Sequence, residues 1–455
     1  MNAPTAVKAD PGVAQRALSA HATIGLIVSA LLYLLCVTGT VIVFKEEWQR
    51  VEQPGAPEMA SISPEAVQAG IRNVLATEAG KPTTTHLYVH LPVPALPRTT
   101  VTTDTQAVHL AADGSIVGPE ENGWATFLED IHYRLTMPGL TGYAVVGAFG
   151  TMMLALIFSG VAAHPRIFRD AFYLRARNRT GVGLSDWHNR LGVWTLPFAV
   201  AIALTGAVLG LSVVSGYGLA SAFYGGDIEK VYGPVFGEEH PADATPAALP
   251  DAAAALRAMA TDHPEAHPYY VVLHDPGTAG QAVQIIAEYP KRLIFGEYFT
   301  FDAAGRLHGT AGLADGTVGQ QIAASNYRLH FGNFGGLPVK IAYAVFGIAL
   351  CVVCATGVSI WLGKRARRGH REPRLRAAWD AVVWGVPLAL TLALLARLLI
   401  GNAAPMAAIF WGLSVALVFA GIVFGARWST AGRDLARGFW GSLAATMVIA
   451  TAGAL

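Results

Sequence analysis

Two nineteen-residue stretches decide the fold: HATIGLIVSALLYLLCVTG at 21–39 and HNRLGVWTLPFAVAIALTG at 188–206. In the first, His21 is followed by Gly25 and then by Thr38-Gly39. In the second, His188 is followed by Gly192 and then by Thr205-Gly206, at the same offsets of four, seventeen and eighteen. Self-similarity on this scale marks a duplicated unit. The duplication extends outward. His132 precedes Ser159-Gly160, and His330 precedes Thr356-Gly357 one residue closer. Between them, Ala112-Asp113-Gly114-Ser115-Ile116 aligns with Ala303-Ala304-Gly305-Arg306-Leu307.

The surrounding composition says what kind of unit is repeated. Of 455 residues, 53% are hydrophobic and only 14% charged, against about 25% charged in globular proteins. This excludes a disordered chain, a coiled coil and a nucleic-acid binder with a large basic excess; 32 basic residues nearly cancel 31 acidic ones. A membrane helix needs about 20 mostly apolar residues. Seven stretches qualify on this reading: 22–44, 142–163, 191–213, 339–362, 379–400, 404–425 and the weaker 438–455. The first is too long for a signal-peptide core and reads as an uncleaved anchor.

Lys and Arg cluster in alternate loops. Arg166, Arg169, Arg175, Arg177 and Arg179 follow the second span, Lys364 to Arg376 the fourth, and Arg427, Arg433 and Arg437 the sixth. By the positive-inside rule these loops and the N-terminus are cytoplasmic, and the long segments 45–135 and 215–330 face outward. Both copies therefore start inside. A parallel repeat of this kind implies a pseudo-two-fold axis along the membrane normal. It sets His21 opposite His188 at one surface and His132 opposite His330 at the other.

Each outer segment reads as a small α+β unit. Pro64 to Thr77 suits a helix, 85–91 and 99–110 alternate with period two, and Asp113-Gly114 suits a hairpin turn. In the second unit Leu249 to Ala260 reads as a helix, 268–274, 281–288 and 294–302 as strands, and Gly305 as a turn. Neither unit contains any of the three cysteines, so neither is disulfide-stapled.

Imidazoles paired across a helix bundle suit bis-imidazole haem, with both axial positions filled for electron transfer. A lone His at a helix end is more often an interfacial or capping residue; two symmetric pairs are a functional hypothesis. Gly25, Gly39, Gly192 and Gly206 either leave room for a macrocycle or let helices approach closely. His164, four residues after Gly160, is a fifth candidate. It could replace His21 or His188, or contact a propionate. Arg166 and Arg190 could pair with propionates, although positive-inside charge also accounts for them.

Other signals are weaker. With no CxxCH in the sequence, covalently attached c-type haem is not expected. Cys351 and Cys354 sit mid-span and read as packing. His86, Tyr88 and His90 share one strand face, which is either solvated or in contact with an iron-bearing substrate. His263, His267 and His274 read as surface. Zinc would prefer tighter clusters. Nucleophile, metalloprotease, P-loop and dinucleotide motifs are absent, so no catalytic side chain is expected. The electron donor would be another protein or a membrane quinol.

The run from His21 to Thr38-Gly39 resembles the PepSY-associated transmembrane proteins. So do Ser159-Gly160-Val161 to His164-Pro-Arg-Ile-Phe168, Asp186-Trp-His188 to Gly192 with Leu196-Pro197, and His330 to Gly336. The outer units are similar to PepSY domains. The resemblance covers about 20–365. It implies a bacterial inner-membrane protein of the di-haem type that reduces ferric siderophores in the periplasm. It also implies two haem b groups held by His21, His132, His164, His188 and His330 or a subset.

The expected architecture is thus a membrane α-helical bundle. Its four-helix haem-binding core consists of two parallel repeats, with two small periplasmic α+β units and about three further C-terminal spans. In order, 1–44 is an arm and the first span, and 45–135 the first periplasmic unit. Residues 136–213 hold the second and third spans, 214–330 the second unit, 331–365 the fourth span, and 366–455 a basic loop and three spans of open role. The expected function is transfer of electrons from a cytoplasmic donor or quinol to a ferric siderophore or other ferric chelate, with the lipid bilayer as surroundings and no nucleic acid. Two rivals stand beside it: a non-enzymatic PepSY module that binds or inhibits a partner, and a quinol oxidoreductase with a non-iron acceptor.

Overall fold

The computed structural model describes residues 12–164, 166–171, 182–236, 243–289, 292–294, 296–311 and 316–453. Arg175, Arg177 and Arg179 lie outside the described residues.

The first copy runs α1 (Val13–Ile42), α2 (Lys45–Glu52), α3 (Pro64–Thr77), β1 (His86–His90), β2 (Thr99–Thr102), β3 (Ala107–Leu110), β4 (Ile116–Pro119), α4 (Gly123–Arg134) and α5 (Leu140–Ala163), followed by a short α6 (Ile167–Asp170). The second runs α7 (Val182–Trp194), α8 (Leu196–Phe223), α9 (Glu229–Phe236), α10 (Ala252–Asp262), β5 (His267–His274), β6 (Ala282–Glu288), β7 (Glu297–Phe301), β8 (Leu307–Ala311), α11 (Val318–Phe331) and α12 (Gly336–Arg367). A tail adds α13 (Pro373–Ile400), α14 (Met406–Phe424) and α15 (Ala431–Gly453).

Six of these helices, α1, α5, α8, α12, α13 and α14, are long and apolar enough to cross a membrane. The seventh expected span falls short. α15 is helical, but Gly438, Gly441, Ser442, Thr446 and Thr451 dilute the apolar run of the expected 438–455 span over its described residues, and Arg437 stands just before it. It packs on α13 instead, with Phe439 beside Trp384 at 6.2 Å between ring centroids. The third expected span, 191–213, is also not one helix. Pro197 stands in the first turn of α8, where its missing N–H costs nothing, and it closes α7 at Trp194. His188 therefore sits on its own helix, whereas His21 shares one helix with Thr38-Gly39.

The four core helices meet through small residues. On α5, a side chain at Gly150 would lie 2.8 Å from the backbone of Ala207 on α8, and one at Gly147 2.8 Å from Leu211. Absence of side chains lets the backbones touch where lipid supplies no hydrophobic drive.

The two outer units share a single sheet. Eight antiparallel strands run in the order β4-β3-β2-β1-β5-β6-β7-β8. The copies join at β1 and β5, which pair from His86↔His274 through Tyr88↔Val272 to His90↔Tyr270. One face carries Leu87, Val89, Val271 and Leu273 into a core with Val67, Ile71 and Val74 of α3 and Met259 of α10, all at most 1% exposed. The alternation places His86, Tyr88 and His90 on the other face. The expected strand at 99–110 splits into β2 and β3 around a turn. Gly114 and Gly305 hold equivalent turns at φ 82° and 75°, and each presses on the start of its copy's helix, Ala66 and Ala254 respectively.

Polar contacts seat the sheet on the bundle. Arg98 beside β2 donates to the Gln49 carbonyl of α2 at 3.1 Å, and His109 of β3 lies 2.9 Å from Gln53. Arg328 of α11 pairs with Glu288 of β6. Lys340 at the start of α12 holds both Glu46 and Glu47 of α2, at 2.8 and 2.7 Å.

Candidate functional site

The four repeat histidines meet as two pairs, one from each copy. His21 of α1 and His188 of α7 lie 6.3 Å apart between ring centroids, with planes at 81°. His132 of α4 and His330 of α11 lie 6.2 Å apart, with planes at 33°. The first pair is at the bundle end near the basic loops, the second at the sheet end. Seventeen residues of α1 separate their levels, about 25 Å at 1.5 Å per residue.

Each imidazole is seated by a Ser/Thr-Gly dipeptide on a facing helix. Nδ1 of His21 lies 2.9 Å from the Leu156 carbonyl and 3.3 Å from the Ser159 hydroxyl. Nδ1 of His188 lies 3.0 Å from the Val353 carbonyl and 3.1 Å from the Thr356 hydroxyl. At the sheet end, Nδ1 of His132 meets Thr38 at 3.0 Å and Nδ1 of His330 meets Thr205 at 2.9 Å. Every one of these hydroxyls donates its own proton one turn back, to Leu34, Ala155, Ala201 and Val352. They can only accept from the ring, as the carbonyls must. Nδ1 therefore carries the proton and Nε2 keeps its lone pair, the arrangement that outer partners impose on metal-bound histidines.

The glycine of each dipeptide makes room for the ring. A side chain at Gly39 or Gly206 would lie 2.9 Å from Cε1 of His132 or His330; at Gly160 and Gly357 the distances to His21 and His188 are 3.1 and 3.4 Å. For Gly39 and Gly206 the contact is neither of the two earlier readings: each admits an imidazole from another helix. Around Gly192 the space is open within 4 Å, and Gly25 touches Leu156.

The sheet-end pair borders a cavity of about 490 Å³, within the range of cofactor sites. Its walls include Met153, Phe198, Ile202 and Leu350, with Glu129 and Tyr133 at the sheet end. Burial pushes His132 down to about 3, helped by the neighbouring His330, and pushes His330 down to about 4. Both rings stay neutral, which is the form that ligates. At the other end, Arg190 is buried, and its Nε and Nη2 have no hydrogen-bond partner among the described residues.

The ring spacing is compatible with haem at both pairs, and the cavity adds room for it at the sheet-end pair. With metal–imidazole bonds of about 2 Å and roughly 1.1 Å from each ring nitrogen to its centroid, two imidazoles that shared one metal ion from opposite sides would have centroids a little over 6 Å apart. Both pairs have that spacing. The guanidinium of Arg190, stacked over Trp194 at 5.9 Å, has the charge and donors that suit a carboxylate.

The remaining candidates fall elsewhere. His164 closes α5 as its C-cap, while the ring opposite His188 is that of His21. Cys351 and Cys354 of α12 are free, as is Cys36 of α1, and all three pack among apolar side chains. His86 and His274, the latter expected as a surface residue, meet edge to face across the sheet seam at 5.0 Å. His263 packs on Phe299 at 4.8 Å. The sequence reading missed the hydroxyls of Thr38, Ser159, Thr205 and Thr356 as partners of the rings. Their signal was in plain view, since all four precede the repeat glycines.

The chain matches the profile of the family described as the PepSY-associated TM region over residues 18–364. It is also similar to a Pseudomonas aeruginosa protein described as uncharacterized, with 26% identity over 259 residues. That similarity spans 54% of this chain and 66% of the relative, just under two thirds of the latter's length. The profile takes in both histidine pairs, both sets of strands and the four core helices, and it ends before α13. The chain is a member of the PepSY-associated transmembrane family.

Proposed function

We propose that the protein is a di-haem electron-transfer protein of a bacterial inner membrane that reduces ferric chelates, siderophores among them, on the periplasmic side. The observation that carries this reading is the pair of imidazole pairs, each spaced at a little over 6 Å, each ring tied through Nδ1, set at opposite ends of one bundle. His21 and His188 hold haem b at the cytoplasmic end, and His132 and His330 hold it at the sheet end. Haem bound in this way supplies reversible one-electron transfer with no open position for a further ligand.

The chain's own residues do the rest. The Ser/Thr-Gly seats fix ring orientation and tautomer, so ligation needs no reorganisation. Mostly apolar walls surround the sheet-end pair. The half-exposed face of the sheet, with Tyr88 at 41% exposure beside His86, supplies aromatic and imidazole groups against which a ferric chelate rests. The alternating basic loops support a cytoplasmic α12–α13 connection and a periplasmic sheet. Electrons come from a cytoplasmic donor or from quinol. A one-electron reduction requires no general base, in keeping with the lack of a nucleophile or base motif.

Purified full-length protein tests this. We expect two b-type haems per chain, low-spin in both oxidation states, and reoxidation of the reduced protein by a ferric siderophore. A colourless preparation would point to a non-enzymatic binding module. Reoxidation by other acceptors but not by ferric chelates would point to a different electron acceptor.

A further inference from the structure

The tail helices lie beyond the family region, yet they contact the helix that carries His132, and they contact it at both ends. The two helices carrying the sheet-end histidines are repeat equivalents but are not equally self-sufficient. α11 begins with a complete capping box: Thr317 accepts from the Gln320 N–H at 3.4 Å, and the Gln320 side chain accepts from the Thr317 N–H at 2.8 Å. It ends on Gly332 in the left-handed region at φ 68°. Both are the solutions that a helix supplies from its own sequence.

α4 has neither. Asn122, at its N-cap, makes no side-chain capping bond. Its first N–H groups are satisfied from elsewhere: Trp124 and Ala125 donate to the two carboxylate oxygens of Glu52 at 2.7 and 2.8 Å, and Gly123 donates to Asn402 at 2.9 Å. Glu52 is in turn held by Arg397 of α13 at 2.9 Å, with both side chains almost fully buried. Arg397 also donates to the Glu121 carbonyl at 2.8 Å. At the other end, where the equivalent helix has glycine, α4 exits through Leu135 and Thr136 at φ 52° and 57°. Side chains are strained there. Trp411 of α14 donates to the Thr136 hydroxyl at 2.8 Å, and Leu135 is buried in one cluster with Phe410.

We propose that α13 and α14 are a brace for α4, with Arg397 and Trp411 as positioning residues that hold His132 in register with His330. His132 lies between the two braced ends. The second copy needs no brace, because its caps are local. The effect on the ligand pair rests on the haem reading; the brace itself does not.

The test uses full-length protein in detergent, with two readouts. Backbone amide exchange in 123–137 is compared with that in 318–332, and the low-spin haem signals are followed by electron paramagnetic resonance. In Arg397→Met we expect exchange of α4 to rise by about tenfold and that of α11 to stay unchanged, because one partner of a buried pair is lost. One haem signal shifts while the other stays, and Arg397→Lys restores part of both effects. Trp411→Phe, which removes a single bond, raises exchange at 135–137 alone and keeps the test open if Arg397→Met does not fold. Exchange unchanged in the variants, or raised equally in α4 and α11, overturns the brace, as do two unmoved haem signals. Wild-type protein without haem sinks the functional reading, and the exchange comparison then decides the brace by itself.

Discussion

Thr38 of α1 accepts a hydrogen bond from His132 of α4 at 3.0 Å while donating its own proton to the Leu34 carbonyl at 3.0 Å. The hydroxyl is fully buried, so its orientation is fixed and the ring has one way to sit. Replacing Thr38 by Val keeps the shape and removes the acceptor. Loss of such an outer partner weakens metal sites by about tenfold or more. We expect Thr38→Val to lower affinity for the sheet-end haem by about that factor and to leave the other haem untouched, as read by haem titration of the apoprotein. Equal affinity in variant and parent would show that the hydroxyl is dispensable.

The pairing makes the four histidines separable into two groups. His132→Ala and His330→Ala are each expected to remove the same haem signal, and His21→Ala and His188→Ala the other. The double change within a pair adds little to either single change, because one missing imidazole already breaks the axial set. His164→Ala is expected to keep both signals. Loss of a signal in His164→Ala, with retention in His21→Ala, would reassign the ligand at the basic end.

Gly39 offers a steric test with no change of ligand. A methyl group there lies 2.9 Å from Cε1 of His132, and overpacking of this kind costs about 1–3 kcal/mol. We expect Gly39→Ala to displace the ring, convert part of the sheet-end haem to a high-spin form and lower the thermal midpoint. Gly441, with open space around it, takes alanine without either effect. A low-spin spectrum of parental shape in Gly39→Ala would mean that the neighbouring helices can give way.

How much of this was legible in the sequence follows from particular residues. His21 and His188 could be matched because their offsets to Thr-Gly are identical, and the pairing of copies then followed from symmetry. α3 was readable to the residue, since Ser63 and Pro64 are a strong start signal. The seam between β1 and β5 was not readable. Strand alternation tells which face is buried but carries nothing about which edge meets which. The dipeptides stand openly at the repeat positions, but each seats a ring from another helix, so spacing along the chain does not link a dipeptide to its histidine. The tail's spans at 379–400 and 404–425 were legible from hydropathy, but its role was not, because it has no counterpart in the repeat.

Acid should loosen the sheet through His109. Burial, and then the charge of Arg98, pushes this imidazole down to about 4, and it is 4% exposed. Its folded value lies below the unfolded one of about 6.5, so the neutral form is the one folding favours. The resulting stability is complete above about pH 6.5 and is lost progressively as pH falls towards 4. His109→Gln is expected to flatten the pH dependence of the sheet's melting in that window. A slope as steep as the parent's would assign the acid sensitivity to another group.

The seam where β1 meets β5 carries an evolutionary consequence. Its register pairs equivalent strands antiparallel about one point, as two identical subunits would pair in an isologous dimer. Each histidine pair likewise draws one imidazole from each half. A half-length ancestor would then have completed its sheet and its histidine pairs only as a homodimer, its later fusion freeing one half to lose its own helix caps.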